Sequence, residues 1–187
     1  MTTTYLKSRM GMASLVFAMV IAGACKKDNT APADTIVKLG DSHQGGIVFF
    51  VEGSGKHGLI AASQDQAASE PWFNGAFLST GATSFAAGKT NTDAIIATQG
   101  NTGSYAAKLC RDYRGGGFSD WSLPSKDELN LMYAQKSLVG GFVNEIYWSS
   151  SEFDTGDAWV QDFTDGTQHT DNTSDGANVH TRAIREF

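Results

Sequence analysis

Leu123-Pro124-Ser125-Lys126-Asp127-Glu128-Leu129 is the stretch on which the fold turns. A serine followed three residues later by glutamate is a reciprocal helix start, in which Ser125 caps the amide of Glu128 and the Glu128 side chain reaches back. Leu129, Met132 and Tyr133 then recur at helical spacing and predict a buried face. Upstream, 104–113 carries Ala106, Leu109, Cys110 and Tyr113 on one helical face, and Gly115-Gly116-Gly117 breaks it. Cys110 therefore reads as a core thiol. A shorter helix over 93–97 is predicted, with Asn91 or Thr92 as its cap.

Outside this helical middle the pattern is β. Gly46-Ile-Val-Phe-Phe-Val51 and Gly58-Leu-Ile-Ala-Ala62, separated by a glycine-rich turn, predict a hairpin. His57 in that turn reads as a turn residue. Residues 63–90 are rich in Ala, Gly, Ser and Thr and predict irregular chain held by Trp72, Phe73, Phe77 and Phe85. After the helices, 145–150 and 158–163 predict two strands, Asp165-Gly166 a tight turn into 167–170, 171–178 a loop, and 179–184 a final strand.

The first 24 residues have the layout of a signal peptide: Lys7 and Arg9, then an uncharged run over 10–22, then small residues before Cys25. That run is shorter than the roughly 20 residues that span a bilayer. Ala22-Gly23-Ala24-Cys25 resembles a lipobox, with Ala22 where leucine is usual, which predicts lipidation of Cys25. Lys26-Lys27-Asp28-Asn29-Thr30 resembles the charged tether of Bacteroidota lipoproteins. The expected organisation is a lipoprotein signal peptide over 1–24, a lipidated tether over 25–38 and a folded domain over 39–187. The expected location is the outer membrane, at the cell surface or facing the periplasm.

The full chain carries 14 basic and 20 acidic residues. Without residues 1–24, 12 basic face 20 acidic residues, a net charge of −8. Nucleic acid and sulfated polysaccharide are disfavoured partners, because holding a polyanion takes Lys and Arg. After lipidation Cys110 is the one thiol left, so the domain holds together by packing, for which eleven Phe, four Trp and five Tyr supply the area.

Catalytic patterns are absent. Gly88-Lys89-Thr90 lacks the partner glycine of a phosphate loop, since position 83 is Thr83. His43, His57, His169 and His180 have no paired metal spacing, and Ser149-Ser150-Ser151 has no base near it in sequence. The marked feature is electrostatic: no Lys or Arg lies between Lys136 and Arg182, a stretch holding eight acidic residues. Such oxygens suit Ca²⁺, but Asp and Asn also populate ordinary turns, so no cofactor is predicted.

Several blocks together resemble the Legionella collagen-like protein C-terminal domain family: Gly45-Gly46-Ile-Val-Phe-Phe50, Asp120-Trp121-Ser-Leu-Pro-Ser125-Lys-Asp-Glu-Leu129, Tyr147-Trp148-Ser-Ser-Ser-Glu152, Ala158-Trp159-Val-Gln-Asp-Phe163 and Arg182-Ala-Ile-Arg-Glu-Phe187. The resemblance implies an α+β, C-type-lectin-like fold, with two or three helices on a twisted antiparallel sheet and long loops. It also implies an exported, non-catalytic module for adhesion to a glycan or protein ligand, with the aromatics of these blocks mostly in the core. The alternatives are a structural envelope component and a formylglycine-generating type of enzyme. Strand alternation puts Trp159, Gln161 and Phe163 on one face and Val160 and Asp162 on the other, so one face is expected to expose groups available for recognition. The expected ligand-binding residues are Asp154, Asp157, Gln161, Asp171, Asn172, Asp175, Asn178 and His180.

Overall fold

The computed structural model describes residues 1–2 and 36–187. The chain divides into two units, Met1–Ala33 and Asp34–Phe187, and every helix and strand among the described residues belongs to the second. All but the first two residues of the expected signal peptide, Cys25 and most of the tether lie outside the described residues. Among the described residues no helix is long and apolar enough to cross a membrane.

Among the described residues the fold is α+β, with four α-helices and two four-stranded sheets. The predicted hairpin forms as β2 (Gly46–Val51) and β3 (Gly58–Ala61), with a bulge between Val48 and Phe50. A short β1 (Ser42–His43) flanks β2, and β8 (Ile184–Glu186) pairs antiparallel with β3. The second sheet runs in the order β6 (Gln168–Asn172), β5 (Asp157–Asp162), β4 (Ile146–Glu152), β7 (Val179–His180). All its pairs are antiparallel except β4 with β7. The single final strand expected over 179–184 is thus two strands in two sheets. Residues 181–183 make the crossing, with Thr181 bridging Ala67 on the way.

α3 (Lys126–Ala134) starts as predicted: Ser125 and Glu128 make both halves of the capping box. Leu129 and Met132 are fully buried, and Tyr133 packs edge-on against Phe163 at 5.3 Å. α2 (Ala106–Asp112) buries Cys110 completely, and loss of hydration drives its thiol pKa far up. α1 (Gly88–Gln99) begins well before the expected 93, with no side-chain cap. Asn91 and Thr92, the expected caps, lie inside it and are buried. Asn91 holds Ser84 through its amide, and Thr92 Oγ1 accepts from the Leu123 amide at 3.0 Å. Gly88-Lys89-Thr90 is simply its first turn. A fourth helix, α4 (Lys136–Val139), exceeds the two or three expected.

One core cluster gathers Trp72, Trp121, Trp148 and Ile95 with Val160; a second gathers Phe49, Leu129, Tyr147 and Phe163. Of the rings expected to hold 63–90, Trp72 is buried, donating to the Ser149 carbonyl at 2.8 Å, and Phe73 is half-buried. Phe77 and Phe85 are exposed. The domain takes in chain earlier than 39: Val37 is buried and its amide donates to Gly55.

Candidate ligand-binding surface

The acidic stretch proves to be three different things. Glu152 is a buried anchor, 5% exposed, whose carboxylate receives Ser79 Oγ at 2.9 Å and the Thr80 amide at 2.6 Å, as well as the Thr80 hydroxyl. The second group closes turns. Asp154 Oδ1 accepts the Gly156 and Asp157 amides at 2.8 and 2.9 Å; Asp165 accepts Thr167, whose bonds hold the Asp165 carboxyl below its usual range; Asp175 accepts Ala177. Asn172 Oδ1 receives both the amide and the hydroxyl of Ser174. Asn178 takes a left-handed φ of 61°. Among the described residues no group of three His, Cys, Asp or Glu side chains is arranged to hold a metal ion.

Two residues expected at the surface are interior. Gln161 is fully buried; its amide nitrogen donates to Asn130 of α3 at 2.9 Å and to the Gly166 carbonyl at 3.0 Å. α3 therefore covers that part of the face on which Gln161 and Phe163 lie, while Val160 and Ala158 are buried on the other. Neither face of β5 is free along its whole length; what it exposes lies at its start, around Asp157 and Trp159. His180, 9% exposed, belongs to a lock around Asp65. Asp65 faces His180 Nδ1 at 2.9 Å, Arg182 Nε at 2.5 Å and the Tyr147 hydroxyl at 3.0 Å. Arg182 continues to the carbonyls of Ala62 and Gly141. Burial, followed by the Asp65 charge, pushes the Tyr147 hydroxyl pKa far up, keeping it a neutral donor.

The third thing is a surface that alternation does build. Asp157, Trp159, Thr170 and Asn172 share one face of the β5–β6 pair, since Asp157 registers with Asn172 and Trp159 with Thr170. Trp159 is half-buried, and two exposed rings meet it edge-on: Phe153 at 5.8 Å and Phe85 at 6.0 Å, themselves 56% and 45% exposed. Lys126, from the first turn of α3, sets its ammonium 3.2 Å from the Trp159 ring centroid and 4.8 Å from that of Phe85. Asp154 lies in the adjoining turn, where the Asp157 carbonyl accepts the Phe153 and Asp154 amides. So the structure gathers Asp154, Asp157 and Asn172 around Trp159. Asp171 alternates to the opposite side with Ala158. Asp175 and Asn178 sit on the 173–178 loop, which is tied to 69–73 through Thr173 and Gly176.

Phe85, Phe153, Lys126 and Thr170 are absent from the residues expected from sequence. The available signal was Phe153 beside an Asp-Thr-Gly-Asp turn, a place where a core ring is out of place. No family model matches the chain, and no curated protein matches it.

Proposed function

We propose that this chain is a non-catalytic, C-type-lectin-like binding module on a lipid anchor at Cys25, and that it takes a glycan on the Phe85–Phe153–Trp159 surface. One observation carries the reading: three clustered rings, two of them outside the core, lie beside the hydrogen-bonding groups of Asp157, Thr170 and Asn172. Burying exposed aromatic area is favourable, and a sugar ring matches such a surface by offering C–H faces to rings and hydroxyls to amides and carboxylates. A solvent-exposed aromatic patch on a chain this acidic favours neutral or amine-bearing glycans over sulfated ones. The lectin-like assignment is supported by the first hairpin and last strand sharing one sheet while the second sheet carries the candidate surface. The anchor would present this surface outside the cytoplasm, at the outer membrane. Cys110, fully buried, is poorly placed for the redox chemistry of the enzyme alternative.

A glycan array probed with the full chain tests this. Specific binders are expected, with signals lost in Trp159→Ala and reduced in Phe153→Ala while thermal stability is retained. Binding that survives Trp159→Ala, or an array without binders, overturns the reading.

A further inference from the structure

Between α3 and the first sheet lies a cleft of about 360 Å³, distinct from the aromatic surface. Its floor is apolar: Phe50 from β2, Leu59 from β3, Leu131 from α3, and Phe187. Apart from His57, the ionisable side chains lining it are all carboxylates, those of Glu52, Asp127, Glu128 and Glu186. Among the described residues Glu52, Asp127 and Glu186 have no hydrogen-bond or ion-pair partner for their side chains.

Glu128 is the informative member. It is 6% exposed, and its Oε2 receives the Ser125 amide at 2.7 Å and the Gly88 amide at 3.0 Å. Among the described residues no donor reaches Oε1. Oε1 is not sealed away: it is open to the cleft, so a largely buried carboxylate held by amides on one oxygen presents the other, with three further carboxylates of the same sign around it, to whatever enters. Burial first, and then the charge of Glu186, raise the Glu128 carboxyl above its usual range.

We infer that this cleft is a binding site for a small organic cation, a primary ammonium carried on an apolar stem. The ammonium has three donors for Glu128 Oε1 and the rim carboxylates, and the stem covers Phe50, Leu59 and Leu131. The volume is at the small end for ligand sites, which suits one stem and not a length of peptide. The site rests on other residues than the glycan surface, so either can fail alone.

The test is titration of the full chain with phenethylammonium, followed by NMR and calorimetry, against 2-phenylethanol, which has the same stem without the charge. Saturable binding at millimolar concentration or tighter is expected, with shifts centred on Leu59 and Leu131. It should weaken by roughly tenfold or more for the alcohol and for the Glu52→Gln/Glu186→Gln double variant. Those two positions are exposed and outside the capping box, so unchanged melting temperature verifies the variant's fold. Trp159→Ala should bind phenethylammonium like the parent. Absence of saturation, equal affinity for the alcohol, retention by the double variant, or shifts centred elsewhere would each overturn the proposal.

Discussion

Ser125 and Glu128 show how far a single local pattern reaches. The spacing Ser-x-x-Glu announces the helix, and both bonds of the box form. What the spacing does not reveal is that folding buries Glu128 against Gly88 of another helix. This has a pH consequence. Burial raises the folded-state pKa above the ordinary 4.5. A group raised in this way favours folding while protonated, and that contribution is lost as pH rises from the unfolded value through the folded one. Glu128→Gln keeps an N3 side chain able to close the box but cannot ionise. Its stability relative to the parent is expected to improve as pH climbs through this window, measured by urea unfolding at several pH values. The comparison cancels Asp120, where burial is outweighed by the Arg185 guanidinium and the carboxyl stays low, so that its own effect acts at the acid end. A pH-independent difference between Glu128→Gln and the parent would contradict the account.

Among elements, the hairpins and α3 are readable because apolar runs and turn residues coincide there. The start of α1 is hidden because it carries no capping side chain, while Asn91 and Thr92, good caps in isolation, instead tie the helix to Ser84 and Leu123. The face of β5 is hidden for a related reason: alternation tells which residues share a side, not whether a helix lies over that side. Gly166 makes the covering concrete. It sits at φ +89° in the β5–β6 turn, and a Cβ there would come within 2.5 Å of the Tyr133 ring of α3. Gly166→Ala is expected to cost more than about 1 kcal/mol, from backbone strain and the clash together. Gly156→Ala, in the β4–β5 turn where a Cβ would meet nothing closer than Asp154 Oδ1 at 3.6 Å, serves as the near-neutral control. Equal melting temperatures for the two would refute the packing of α3 on that turn.

Across the whole molecule, the candidate surface is half legible in the sequence. Asp154, Asp157 and Asn172 can be found because turns are rich in such residues, whereas Phe85 reaches Trp159 from far along the chain and no local pattern links them. The same holds for Asp65, whose partners His180 and Arg182 are 115 and 117 positions away. Arg182 is 1% exposed, so Asp65→Ala strands a buried guanidinium and is expected to cost roughly 3–5 kcal/mol by chemical denaturation. A loss under about 1 kcal/mol would show that the carbonyls of Ala62 and Gly141 suffice for it. The crossing at 181–183 has a temporal consequence as well. β7 completes one sheet and β8 the other, and both are contributed by residues 179–186. Neither sheet can close until the ribosome has delivered nearly everything that precedes them. Native pairing at such separations makes for slow acquisition of structure. Until then β3 and β4 each lack a neighbour and present a bare hydrogen-bonding edge, the feature most prone to pairing with a second copy.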